Sequence, residues 1–424
     1  MRAGYRVLLA LAVATASCRG GDILANRTTV LDITGLPRSL TGSEQTIVGA
    51  DNQFAFSVFR EIAAQSGPDS NIFISPLSVA MALGMAYNGA AGTTAAEMQQ
   101  TLALQGLTLA EVNGSYQSLI ALLGGLDRQV TFKLANSVWY DQAFTPYPAF
   151  LSATRTYFDA TVQSLDFTSP SASATINNWV TTQTNGKITA IVPDPIPPLT
   201  VMYLVNAIYF KGSWTTQFDS TRTKPAPFHL RNGSTTNVPT MAHGQWVAVK
   251  YLDDGNVSVI DLPYGGKAFS MTIVLPNTAA GIDSLVPSLT GSRWNTWITG
   301  LDSITAEDVT LPKFTVSYES VMNGVLQTLG MPSAFDCGNS SDFTHLANVS
   351  IGQLCISEVR HRAFVDVNEQ GTEAAAATSV GFIDVCYACG PPLITIDRPF
   401  VFVIRERFSG TILFVGRMMN PAAS

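Results

Sequence analysis

Charge is what this sequence has least of. Only 13% of its 424 residues are Asp, Glu, Lys or Arg, and the net charge is −7. No block of five or six basic residues occurs, so nucleic acid and heparin-like polyanions are poor partners. Histidine is scarce as well: His229, His243, His345 and His361 are scattered, without metal-ligand spacing. There is no internal repeat, and the apolar run near the start, Val7 to Ala14, is too short to span a bilayer. What the chain does have is apolar residues, 46% of the total. That supplies a large core and excludes a mainly disordered chain.

The first residues read as a targeting segment. Arg2 and Arg6 precede the apolar run, and the small residues Thr15, Ala16 and Ser17 follow it, which predicts a signal peptide over 1–17. Cys18 directly after small residues resembles the lipid-attachment site of bacterial lipoproteins, although Thr15 stands where Leu is usual. The expectation is an exported protein of bacterial source: extracellular, periplasmic, or held at the membrane through a lipid on Cys18. Export lets disulfides persist, and Cys337 and Cys355 are available to pair. Cys386-Tyr387-Ala388-Cys389 has redox or metal spacing, but no second close pair and no nearby histidine completes a zinc site.

Residues 18–47 are rich in Gly, Thr and Ser without sustained period and read as a flexible linker; 48–424 reads as one domain. Phe54, Val58, Phe59 and Ile62 fall at helical spacing. Val79 to Asn88 predicts a small-residue helix that packs tightly, and Ile176 to Val192 begins as a helix. Phe132 to Tyr140 predicts a strand. Met202 to Phe210 predicts a strand covered on both faces. Val257 to Leu262, Ser270 to Leu275 and Val309 to Val316 predict further strands. Phe400 to Ile404 and Ile412 to Val415 predict a hairpin around Ser409-Gly410. Helices early and strands late make an α+β architecture. From Val359 to Val367, period two places His361 in a row with Val359, Ala363, Val365 and Val367, as a buried histidine satisfied by hydrogen bonds.

Across 48–424 the chain resembles the serpin family of serine protease inhibitors. The resemblance is carried by Asn71 to Ser78, Asn88 to Thr94, Leu134-Ala135-Asn136, Asn206 to Trp214 and Asp261 to Tyr264. It continues through Leu311 to Phe314, Leu329 to Met331, Glu369 to Thr378, Arg398 to Phe402, Gly416-Arg417 and Asn420-Pro421, all in family order. It implies the serpin fold: three β-sheets, eight or nine helices, and an exposed reactive-centre loop, here about 369–396. It implies that Ser75, Ser78, Asn206 and His361 form a polar cluster under the main sheet, with Trp214 near the point where loop insertion begins. Such a chain is no enzyme, needs no cofactor, and forms a covalent complex with its target protease as a monomer. No basic helix face lies between Ala95 and Gly125, so no polysaccharide cofactor is expected.

The loop begins with a hinge, Glu369-Gln370-Gly371-Thr372-Glu373-Ala374-Ala375-Ala376-Ala377-Thr378. Gly371 frees the backbone. Counting by two from Thr372 gives Ala374, Ala376, Thr378, Val380 and Phe382, a row without charge, as a face that becomes buried requires. Hinge-to-cleavage distance in inhibitory members of the family that the chain resembles places the scissile bond at Val385–Cys386. Counting back from Arg398-Pro399-Phe400 gives Ala388–Cys389 instead. Both put a small aliphatic residue before the cut, which suits the shallow pocket of elastase-like or subtilisin-like proteases; Tyr387 admits a chymotrypsin-like one. Two other readings are a non-inhibitory carrier or chaperone, against which the clean hinge argues, and a thiol-disulfide protein using Cys386 and Cys389. Six sequons, at Asn26, Asn113, Asn232, Asn256, Asn339 and Asn348, matter only on a eukaryotic secretory route.

Overall fold

The computed structural model describes residues 32–372 and 391–423. Capping chemistry sets the first helix. Thr41 Oγ1 accepts the Glu44 N–H at 3.2 Å, and Glu44 Oε2 accepts the Thr41 N–H at 2.7 Å. This closes a capping box in front of α1, Gly42–Gln65. Arg38 clamps the same carboxylate at 2.6 and 2.8 Å and, with the Ser118 hydroxyl and the Thr41 N–H, holds it at a pKa of about 2. The expected linker over 18–47 therefore ends early. Residues 42–47 are helical, and the stretch before them is tied down: the Ile33 N–H reaches Gly266 O at 2.7 Å and Lys267 pairs with Asp32 at 2.6 Å.

The chain continues through β1 (Ile72–Ile74), α2 (Pro76–Tyr87), α3 (Gly92–Thr101), α4 (Leu109–Gly124) and β2 (Val130–Asp141). Then come α5 (Pro148–Phe158), β3 (Thr161–Leu165), α6 (Ala172–Gln183) and β4 (Met202–Ser213). Five strands follow: β5 (Lys224–His229), β6 (Thr235–Ala242), β7 (Val247–Asp253), β8 (Val257–Tyr264) and β9 (Phe269–Pro276). After α7 (Ile282–Ser288) and α8 (Gly291–Thr299) come β10 (Asp302–Ala306), β11 (Asp308–Pro312), β12 (Phe314–Val321) and α9 (Asn323–Thr328). The last strands are β13 (Arg360–Asn368), β14 (Gly371–Thr372), β15 (Leu393–Thr395), β16 (Phe400–Glu406) and β17 (Ile412–Met418).

These strands make the three expected sheets. One has seven strands in the order β1-β17-β16-β9-β8-β7-β10, one has four in the order β15-β11-β6-β5, and one has six in the order β12-β13-β14-β4-β2-β3. The six-stranded sheet lies over a core that it shares with α1, α2 and α4. Gly84 of α2 lets this layer close: a Cβ there would stand 3.1 Å from Phe158 and 3.2 Å from Tyr116. Strand β4 is covered on both faces. Ile208 and Phe210 join the main core, while Val205 and Ala207 join a second cluster with Ile176 and Val180 of α6.

One expected strand proves to be two. The apolar alternation of Val309 to Val316 is interrupted by a corner at Lys313. On one side β11 pairs with β6 and β15; on the other β12 pairs with β13. The Lys313 N–H turns away to Pro239 O at 2.8 Å. Both strands bury alternate residues, but the buried parity slips by one across the corner, from Val309 and Leu311 to Phe314 and Val316. Cys337 and Cys355 do pair, with Cα atoms 5.2 Å apart. Among the sequons, Asn113 is buried and exchanges hydrogen bonds with Asn88 at 2.7 and 2.9 Å, so it cannot accept a glycan in the fold.

The packing leaves one carboxylate poorly served. Asp51 of α1 is buried and accepts only the Tyr116 hydroxyl, at 2.9 Å, while Oδ2 has no partner among the described residues. Burial pushes its pKa up to about 7. A raised carboxyl pKa means that the fold binds more protons than the unfolded chain between about pH 4 and 7, so this site loses stability as pH rises through that window. Asp51→Asn should raise stability at pH 8 by about 1–3 kcal/mol and flatten the slope, read by denaturant unfolding across pH.

Candidate functional site

Geometry singles out the upper end of the six-stranded sheet. There β14, only two residues long, sits between β13 and β4 and is antiparallel to both: Thr372 opposes Val367 and Gly212, and Gly371 opposes Asn368 and Ser213. Gly371 has φ +151°, and a Cβ would lie 2.1 Å from Gly212 O. Only glycine lets the two backbones approach this closely.

Trp214, at the end of β4, grips the residues that lead into β14. Its backbone N–H donates to Gln370 O at 2.9 Å and its indole N–H to Asn368 O at 2.9 Å. The Phe218 N–H donates to Glu369 O at 3.0 Å. Trp214 is itself held by stacking on Tyr264 at 4.4 Å and by an edge contact to Phe218. The Tyr264 hydroxyl meets the Thr372 hydroxyl at 2.7 Å in a fully buried pair. Burial opposes the charge on Glu369, yet its own backbone N–H, the Thr223 hydroxyl and the Lys313 ammonium at 3.1 Å keep it below the usual carboxylate range. Glu369, Gly371, Thr372 and Trp214 thus stand together.

The polar cluster is only partly assembled. His361 Nε2 accepts the Ser75 N–H at 3.0 Å. The Ser75 hydroxyl accepts the Ser78 N–H at 3.3 Å, capping α2, and donates to Leu413 O at 2.8 Å. All three residues are buried. The serine hydroxyl does not address the imidazole, so this is no nucleophile–base pair. Asn206 stands apart from these three. It donates to Asn136 Oδ1 at 2.6 Å, and Asn136 donates to Phe158 O at 2.6 Å. The Asn206 Oδ1 is buried without a partner among the described residues.

Asn136, Tyr264, Lys313 and Thr223 were not singled out by the sequence reading. The first three sit inside motifs that carried the resemblance; nothing around Thr223 marked it. The expected site residues Glu373, Ala374, Ala375, Ala376, Ala377, Thr378, Val385, Cys386, Ala388, Cys389 and Cys18 lie outside the described residues.

Comparison with known proteins follows the same outline. The serpin family model, described as serine protease inhibitor, matches residues 49–421. The chain is 34% identical to human leukocyte elastase inhibitor over 386 residues, covering 89% of this chain and 100% of that one. It is 33% identical to Iripin-2 of Ixodes ricinus, covering 88% and 94%. Among solved structures, human thyroxine-binding globulin complexed with thyroxine has TM-score 0.78 at 29% identity, covering 89% and 99%. The native thermophilic serpin tengpin has TM-score 0.79 at 28% identity, covering 92% and 96%. The curated relatives named here are animal proteins, which does not bear out the expected bacterial source.

Two outcomes test this geometry. Gly371→Ala should prevent β14 from docking, so that proteases cut 373–390 at least tenfold faster, read by limited proteolysis. Burial lowers the His361 pKa to about 4. A depressed imidazole pKa contributes stability that is present above pH 6.5 and lost as pH falls toward 4, because a proton on Nε2 would face the Ser75 N–H. The loss should reach about 2–3 kcal/mol in pH-dependent denaturant unfolding. His361→Gln, whose carbonyl still accepts, should remove it.

Proposed function

This chain belongs to the serpin family of serine protease inhibitors, and on that footing we propose that it works as a single-use covalent trap whose loop inserts between β13 and β4. The observation that carries the reading is the register of β14. Continued past Thr372, the two ladders would set Ala374 against Val365 and Phe210, and Ala376 against Ala363 and Ile208. Thr378 would come to His361 on one side and Asn206 on the other. Val365, Ala363, His361, Phe210 and Ile208 are all buried. The uncharged row of the loop therefore falls on the inward face, and Glu373 falls outward. A hydroxyl at Thr378 would also arrive beside the unpartnered Asn206 Oδ1.

Insertion on this path gains backbone hydrogen bonds on two edges at once. The target's serine first attacks the scissile carbonyl and forms an acyl-enzyme. The freed loop then draws the tethered protease along the sheet and distorts its oxyanion hole, so the ester persists. Val385–Cys386 is the first choice of scissile bond and Ala388–Cys389 the second. A small residue before the cut suits an elastase- or subtilisin-like protease, and the likeness to leukocyte elastase inhibitors supports that class. A carrier role, as in thyroxine-binding globulin, is less well supported, because nothing in a carrier requires an uncharged inward row. The proposal includes action as a monomer without polysaccharide, and export with lipid attachment at Cys18, which rest on sequence alone.

Incubation with pancreatic elastase and with subtilisin tests the reading. A complex that survives denaturing electrophoresis is expected, with a released peptide beginning at Cys386 or Cys389. Ala376→Glu should convert the chain to a substrate, cleaved without complex, because a buried unpaired carboxylate stalls insertion. Cleavage of the unaltered loop with full protease activity remaining overturns it.

A further inference from the structure

Below β14, no ladder joins β13 to β4 among the described residues. The six-stranded sheet thus has two halves, β3-β2-β4 and β12-β13. A narrow cavity lies between them, lined by Tyr209 and Phe210 of β4 and by Phe364 and Val365 of β13, with Thr372 at its upper end. Thr184 and Lys187, from the turn after α6, line it as well.

That turn is firmly built. Asn185 and Gly186 take the left-handed conformation, at φ +50° and +80°. Thr184 Oγ1 accepts the Ile188 N–H at 3.0 Å and donates to Val180 O at 2.9 Å. The turn is fixed to the β2/β4 half, since Ile188 packs with Ile176 and Val180 of α6 against Trp139 and Val205. Yet the Lys187 ammonium stands 4.8 Å from the centre of the Phe364 ring, which belongs to the other half. The contact therefore crosses the gap.

We propose that Lys187 is a positioning residue for the inhibitory step: its attraction to Phe364 holds β4 and β13 together and sets how readily the gap admits a further strand. The physical case is short. An ammonium over an aromatic face is attracted by the ring's quadrupole, and the attraction is lost beyond about 6 Å. An inserted strand needs about 4.8 Å to the strand on either side, more than the narrow cavity between β4 and β13 gives. The charge and the ring cannot stay in contact through that step. Removing the contact lowers the work of opening and leaves the hinge residues untouched.

This inference rests on the insertion reading, and its test needs no protease. Hydrogen exchange is followed by mass spectrometry over peptides spanning β4 and β13 in the free full-length chain at pH 7. In parallel, a synthetic peptide with the sequence of 372–382 is annealed to the same protein. Lys187→Met keeps the apolar stem and removes the charge; both exchange and annealing should quicken by about two- to fivefold. Lys187→Arg should restore unaltered behaviour, since guanidinium also binds ring faces. Phe364→Leu should match Lys187→Met, and the double variant should be no faster than either single one. Unaltered exchange in Lys187→Met, or additive effects in the double variant, overturns the proposal. Failure of the insertion reading looks different: the peptide anneals to no variant, although exchange still responds to Lys187.

Discussion

The proposed function hangs on a two-residue strand held from both sides. Gly371 and Thr372 join ladders that otherwise belong to separate halves of a sheet. The junction holds through backbone approach that only glycine permits, two N–H donors from Trp214, and a buried hydroxyl pair between Tyr264 and Thr372. A strand this short contributes little by itself. Its importance is directional: it fixes where the next residue would enter and which of its faces would turn inward.

The rest of the molecule keeps that entrance in working order. The capping box at Thr41 and Glu44 and the small contact at Gly84 settle the helices under the sheet. Ser75, capping α2, reaches β13 through His361 and β17 through Leu413. A buried imidazole kept neutral is costly to protonate, so the strand that flanks the gap is tied to the helical layer only while the ring stays uncharged. On the opposite edge, Asn136 anchors Asn206 to the end of α5 through Phe158. The polar groups are thus distributed between the two strands that must part, and do not form one knot.

Much of this was legible in the chain. Period two gave β13 its buried row with His361, and the run Met202 to Phe210, apolar except for Asn206, foretold the two covered faces of β4, because burial imposes those patterns directly. The start of α1 was legible too, in Thr41 and Glu44 three residues apart, but the surrounding Gly, Thr and Ser masked it. The corner at Lys313 was passed over, since the one-residue slip of the buried parity, from Val309 and Leu311 to Phe314 and Val316, falls at Leu311-Pro312, where both residues are buried. Nor was the separation of Asn206 from Ser75 and His361, because motif membership says which residues matter and not which atoms touch.

What the sequence determined by itself was the family and the uncharged parity of the row from Thr372, because each depends on residue type and order along the chain. What only the tertiary structure decided was partnership: Tyr264 with Thr372, Asn136 with Asn206, Lys187 with Phe364. These pairs lie 108, 70 and 177 positions apart. No local periodicity encodes contacts at such separations. They exist because β13 and β4 are brought to the two sides of β14, and that is set by how three sheets and their helices pack as a whole.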